Sequence, residues 1–351
     1  MELASQLLPI DIETLELDMY RTMLLARRLD ERMWALNRQG KGHFAVPCAG
    51  HEATGVGYAL ALDPAHDHLA PHHRDVSALL VWGITPRDIL CHFLGKAPDP
   101  ASGGRQMYAH WGSRRLRIFS LSSVMAGHVP HAVGVALAAK YRRSSIASSR
   151  GKGDNSSEEH SPRDDALTVT WCGFGDGSSS KGDVHESMNF AAIHKLPIVF
   201  CCENNGYAIS VPQKMQMAVE NVADRAAGYG FPGVVVDGMN PLAVYECARL
   251  AVERARCGEG PTLIEAKVYR YLPHTSNDDD TRYRTRQDVE HARARDPLKT
   301  FRAQLYTEQL LNAGSEAQLE RQVGEQVEDA AAYALAAPEL SAEDTFKYVY
   351  G

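Results

Sequence analysis

Two short polar turns carry the residues of this chain best suited to chemistry: Gly175-Asp176-Gly177 and Asn204-Asn205-Gly206. Each follows an apolar run, Ala166 to Cys172 before the first and Ile198 to Cys202 before the second. Either turn alone is a common loop sequence and says little. Parallel strands would change that, because they end on the same sheet edge, where open α/β folds bind ligands. Neighbouring strands run about 5 Å apart. The carboxylate of Asp176 and the amide oxygen of Asn205 would then converge on one small cation. Gly173, Gly175 and Gly177 let a ligand approach the backbone, and a following helix N-terminus favours an anion. A hard cation beside an anion suggests Mg²⁺ carrying a diphosphate, since Mg²⁺ takes one or two protein oxygens and fills its octahedron with phosphate and water. A dinucleotide fingerprint fits poorly. Gly173, Gly175 and Ser178 depart from G-x-G-x-x-G, and Glu203 is followed at once by Asn-Asn.

The elements that must hold these turns are legible in the same stretch. The β-branched, apolar runs read as buried strands. Between them, Asp183 to Lys195 sets Val184, Met188, Ala191 and Ala192 on one helical face, with Asp183 placed to cap the helix. Strand, helix, strand is a βαβ unit with parallel strands. Downstream, Gly233 to Asp237 reads as a strand, Pro241 to Arg256 as a helix and Thr262 to Val268 as a strand. Upstream, Leu15 to Gln39 is helical in pattern, and the small residues from Gly50-His51-Glu52-Ala53 to Leu62 suggest a closely packed helix that serves as scaffold. From Gln287 onward the chain is helical, without a sustained heptad.

Composition excludes several classes. A chain of 351 residues can bury a large core. A net charge of −7 without a long basic run argues against nucleic acid. No apolar run is long enough to span a membrane, and the first residues show no signal-peptide pattern. The seven cysteines form no C-x-x-C pair, and three fall in the expected buried strands, which suits a reducing cytoplasm. Arg142 to Asp165 is nearly without apolar residues and reads as a flexible surface insertion.

Gly-Asp-Gly followed at this spacing by Asn-Asn resembles the thiamine diphosphate motif, and the chain from about Leu17 to about Leu305 resembles the α subunit of the decarboxylating component of 2-oxo acid dehydrogenase complexes. Within that family the branched-chain (2-oxoisovalerate) enzymes are most similar, through Gly104-Arg105-Gln106-Met107 and Pro273-His274-Thr275-Ser276. The resemblance implies an α/β thiamine diphosphate-binding fold, a mostly parallel sheet with helices on both faces and helical N- and C-terminal extensions. The expected division is 1–50 as N-terminal helical extension, 51–285 as cofactor domain containing the insertion 142–165, and 286–351 as C-terminal helical region with a partner-binding tail.

The resemblance also assigns residues. Asp176, Asn205 and the backbone carbonyl of Tyr207 would hold Mg²⁺. Arg74 matches the arginine that holds the diphosphate, its fork of donors suiting phosphate oxygens. His73 stands where the family has tyrosine. Ser123 and Met125 match contacts to the cofactor's rings, while Val124 and Gly127 replace the usual proline and threonine. Gly175 and Gly177 lie against the cofactor. His274 matches a cofactor-contacting, catalytic histidine, and Thr275 stands where some members carry a phosphorylated serine. The loop from Leu272 to Thr281 has little apolar surface, so it is expected to be mobile until cofactor anchors His274. Phe44 and Met125 are expected as walls of the acyl pocket. The implied activity is oxidative decarboxylation with acyl transfer to the lipoyl groups of a separate acyltransferase component. A β subunit would supply the carboxylate that activates the cofactor, in an α₂β₂ assembly. Pyruvate or acetoin dehydrogenase, a Mg²⁺–diphosphate enzyme without thiamine, and a non-catalytic partner-binding module are the rival readings.

Overall fold

The two apolar runs lie side by side at the centre of one parallel sheet in the computed structural model, which describes residues 12–150 and 167–347. The sheet strands are β1 (His68–Ala70), β2 (Thr170–Gly175), β3 (Ile198–Asn204), β6 (Gly233–Asp237) and β7 (Thr262–Lys267), in the order β1-β2-β3-β7-β6. All four pairings are parallel. A separate hairpin joins β4 (Tyr207–Ala208) to β5 (Val211–Pro212). The helices are α1 (Ile12–Arg38), α2 (Glu52–Leu60), α3 (Val76–Val81), α4 (Pro86–Leu94), α5 (His128–Arg150), α6 (Gly182–Ile193), α7 (Ala226–Tyr229), α8 (Pro241–Arg256), α9 (Arg286–Arg293), α10 (Pro297–Thr307) and α11 (Ala313–Ala336).

Continuous apolar runs form the central strands because both sheet faces are covered. Side chains alternate between two cores. Val169, Trp171, Val199, Cys201 and Ile264 pack with α1 to α4, α8 and α11. Cys172, Phe174, Ile198, Phe200 and Cys202 pack with α5, α6 and α7. The small residues of α2 let it lie close to α8: a Cβ added at Gly57 would sit 2.7 Å from the Pro241 carbonyl oxygen. Ion pairs Arg28–Glu320 (2.6 Å) and Arg32–Glu328 (2.9 Å) tie α1 to α11. No helix among the described residues is long and apolar enough to cross a membrane.

Three local expectations are corrected. The first run ends at Gly175 rather than Cys172, so Gly173 and Gly175 belong to β2; their pairing with Cys201 and Glu203 of β3 overrides glycine's weak strand preference. Lys181, not Asp183, is the N-cap of α6, and Asp183 lies in its first turn. There its charge still complements the helix dipole. Helix α5 runs on to Arg150, past Arg142 where the insertion was expected to begin; the remainder of that insertion, 151–165, lies outside the described residues, as does the end of the tail from 348 onward.

Trp171 is fully buried and stacks on Tyr58 with ring centroids 4.4 Å apart. Trp171→Ala should therefore cost about 3–5 kcal/mol of stability through lost burial and the cavity left behind, read as a lowered midpoint in urea; a change under about 1 kcal/mol would contradict this packing.

Candidate functional site

The register Gly175↔Glu203 brings the carboxyl ends of β2 and β3 level. Asp176 and Asn205 follow directly, side by side on the ligand edge. Asp176 is only 1% exposed. Its Oδ2 accepts from Gln216 Nε2 at 2.9 Å, and no ion pair reaches it among the described residues. Burial pushes its carboxyl up, opposed by the Gln216 amide and backbone N–H groups. Asn205 Oδ1 accepts the N–H of Tyr207 at 3.2 Å. Gly206 has φ +82°, a left-handed conformation open to glycine at little cost. It reverses the chain so that Tyr207 enters β4 beside Asn205.

The cationic side comes from two distant segments. Arg74 is 3% exposed and forms no ion pair with a carboxylate among the described residues. Its Nη1 donates to the Pro47 carbonyl at 2.5 Å, and its Nη2 donates to the carbonyl and Nδ1 of His274 at 2.9 and 3.0 Å. Arg270, 1% exposed, donates to the Ile209 carbonyl at 3.0 Å and the Tyr283 hydroxyl at 2.8 Å, and its Nε has no partner. Burial pushes both guanidinium pKa values down, Arg74 to about 9. A guanidinium only donates, so His274 Nδ1 is the acceptor and Nε2 carries the proton. Burial first, then Arg74 and Arg270, pushes His274 down to about 3, so the ring is neutral. Buried charges are costly unless paired. A buried carboxylate without a cation, beside buried guanidiniums without an anion, therefore fits a bound cation carrying an anion.

The remaining sequence-derived residues separate into two groups. His73 is half-buried, its ring edge-on to His110 at 5.8 Å. His110 Nδ1 donates to the Met107 carbonyl at 2.9 Å, which leaves Nε2 to accept from the Ser123 hydroxyl at 2.8 Å. Ser123 thus reaches the histidines beside Arg74. Met125 is 44% exposed and has no described contact with this set. Phe44 is half-buried and packs against the main core.

The loop after β7 is better held than its composition suggests. The Ser276 N–H donates to the Ala45 carbonyl at 2.9 Å, and the Ala45 N–H donates to Ser276 Oγ at 3.1 Å. The His274 N–H donates to Asp278 at 2.8 Å. Arg284 spans the loop, donating to the carbonyls of Arg270 and Leu272 and pairing with Asp280 at 2.5 Å. A frame of charge-assisted hydrogen bonds takes the place of an apolar core in this loop.

Sequence reasoning missed Gln216, whose amide meets Asp176, and the buried set of His51, His72, Asp75 and Glu203 behind the turn. Arg270, at the carboxyl end of β7, carried a usable signal, since that is the ligand edge. An open cavity of about 620 Å³ is lined by Tyr207, Lys267, Tyr269, Asp288, His291 and Arg295, among others, but by none of Asp176, Arg74 and His274. Tyr207 is the one candidate metal ligand that this cavity shares.

Buried neutral histidines give the fold a pH dependence. Burial pushes His51 and His128 down to about 4 from 6.5. The unfolded chain takes up these protons first, so stability is full above about 6.5 and declines as pH falls towards 4. His128 Nε2–H donates to the Gly173 carbonyl at 2.8 Å. His128→Gln can keep that bond without the ionisable group, so denaturation midpoints should fall less steeply with acidity in the variant; an unchanged slope would contradict a buried neutral His128.

Comparison with known proteins gives one consistent result. The family described as dehydrogenase E1 component matches residues 20–343. The 2-oxoisovalerate dehydrogenase subunit alpha of Bacillus subtilis is 48% identical over 333 residues, covering 95% of this chain and 94% of that protein. The 3-methyl-2-oxobutanoate dehydrogenase subunit alpha of Mycobacterium tuberculosis is 36% identical over 336 residues, covering 95% and 82%. A pyruvate dehydrogenase E1 component subunit alpha of Bacillus subtilis is 35% identical over 339 residues, covering 95% and 81%.

Proposed function

The chain belongs to the dehydrogenase E1 component family, and from that premise we propose that it is the alpha subunit of a thiamine diphosphate-dependent dehydrogenase of branched-chain 2-oxo acids. The greater identity to the 2-oxoisovalerate enzyme than to the pyruvate enzyme favours the branched-chain substrate class. The observation that carries the site assignment is the burial of Asp176, Arg74 and Arg270 without ion-pair partners among the described residues, with Arg270 near enough to feel the Asp176 charge. These suit a diphosphate bridged by Mg²⁺. Asp176, Asn205 and the carbonyl of Tyr207 would hold the metal, with Gly175 and Gly177 against the cofactor; the space beside Gly177 is taken by Ala208, 2.6 Å from where a Cβ would sit.

Arg74 and Arg270 would neutralise the diphosphate. His274, neutral with its proton on Nε2, donates to the cofactor or to the reacting groups without adding charge, and is the catalytic residue of this chain. His73, Ser123 and Met125 border the ring side. Thiamine diphosphate supplies the electron sink for decarboxylation. This chain's part is to bind its diphosphate end and orient it on a rigid sheet edge. The alpha-subunit assignment implies a β subunit, and the open edge suits a site completed across that interface. An α₂β₂ assembly that passes the acyl group to lipoyl groups of an acyltransferase is the expected context.

Titration calorimetry of the complex with its β partner tests the reading. The wild-type complex should bind thiamine diphosphate with Mg²⁺, and Asp176→Ala should abolish binding while the complex still assembles. Undiminished binding in that variant would overturn the metal assignment. The chain alone should not decarboxylate 2-oxo acids, and with its partner kcat/KM for 2-oxoisovalerate should exceed that for pyruvate. A preference for pyruvate would move the protein to the pyruvate-specific branch.

A further inference from the structure

Behind the Asp176 turn lies a polar cluster that the proposed activity does not use. His51, His72 and Glu203 bring nitrogen and oxygen atoms within 4.8 Å of one another, and all three residues are buried. Glu203 Oε2 lies 2.6 Å from His51 Nδ1 and 3.4 Å from His72 Nδ1. A carboxylate only accepts, so His51 Nδ1 donates. Asp75 fixes the backbone under His72: its Oδ2 accepts the His72 N–H at 2.5 Å and the Tyr58 hydroxyl at 2.6 Å. The His72 ring stacks on His51 with centroids 5.7 Å apart. The ring is therefore held by its backbone and by one face, while its Nδ1 lies 3.4 Å from Glu203 without a hydrogen bond.

The other edge of that ring is unused. His72 Nε2 has no hydrogen-bond partner among the described residues and lies at the turn that carries Asp176: a Cβ added at Gly175 would sit 3.4 Å from it. The missing Cβ at Gly175 keeps this nitrogen accessible from the ligand edge. We propose that His72 is a further binding residue of the site, its Nε2 hydrogen-bonding an oxygen of the metal–diphosphate group, with Glu203, His51 and Asp75 holding the ring in position. This rests on the thiamine diphosphate reading above. The oxygen belongs either to the diphosphate or to a water held by the metal; both lie at the same turn. A transition metal within the cluster itself fits less well. Ligand bonds of about 2 Å at tetrahedral angles separate ligand atoms by roughly 3.3 Å, more than the 2.6 Å between His51 and Glu203.

Two substitutions separate the edges of the ring. His72→Asn places an amide near the Nδ1 position, facing Glu203, and leaves the Nε2 position empty. His72→Gln extends an amide to the Nε2 position. Calorimetry of the assembled complex with thiamine diphosphate and Mg²⁺ should show affinity falling about tenfold or more in His72→Asn and recovering largely in His72→Gln. Unfolding temperatures without cofactor should match wild type in His72→Gln. Inorganic diphosphate, titrated without Mg²⁺, separates the two oxygens: weaker binding in His72→Asn assigns the contact to phosphate, and a loss confined to Mg²⁺-dependent binding assigns it to a metal-held water. Wild-type affinity in His72→Asn, or equal losses in Asn and Gln, would overturn the proposal while leaving the cofactor reading intact. A wild-type complex that binds no thiamine diphosphate would overturn both. A stoichiometric transition metal lost on His51→Ala would overturn it by making the cluster a metal site.

Discussion

The parallel pairing of β2 with β3 is the constraint on which the site depends. Its register sets Gly175 level with Glu203, and the next residues of each strand inherit that alignment. A slip of one residue would turn every side chain of a strand to the opposite face. Trp171 and Phe174 would exchange cores, and Asp176 would leave Asn205. Both faces of these strands are buried in distinct cores, so packing on two sides enforces the register, and with it the distance between two metal-ligand candidates.

Electrostatics at the edge follows from this alignment. Folding buries Asp176, Arg74 and Arg270 without ion-pair partners among the described residues, which is destabilising for the free protein. Such an arrangement persists where a ligand supplies the missing charges, and binding then stabilises the folded state. Some other buried charges are paired within the chain. Arg27 meets Glu52 at 2.5 Å and Asp296 at 2.9 Å, and Arg256 meets Asp67 at 2.6 Å.

The histidines illustrate how one residue type takes different roles by environment. His128 anchors the start of α5 to a carbonyl of β2. His274 accepts from Arg74 and keeps its second nitrogen as donor. His51 and His72 flank a fully buried carboxylate. Burial drives His51, His128 and His274 towards neutrality. Their neutral forms allow close packing beside arginines and carbonyls that charged rings would disturb.

Local pattern was enough to find the βαβ unit, the strands around Val234 and Ile264, helix α8 from Pro241 to Arg256, and the two turns with Asp176 and Asn205. Continuous β-branched runs and helical periodicity depend on neighbours a few residues away. The resemblance supplied Arg74 and His274, which composition alone would have left as a charged surface turn and a loop residue. Tertiary structure decided what pairs with what across long separations. His51 meets Glu203, Gln216 meets Asp176, and Ser276 meets Ala45. Nothing in the spacing of these residues signals contact, because the fold brings them together only after the sheet order is set. It also decided that β2 continues through Gly173 and Gly175, where pairing with β3 outweighs the local preference of glycine, and that a loop poor in apolar residues is held by Arg284 instead of by a core.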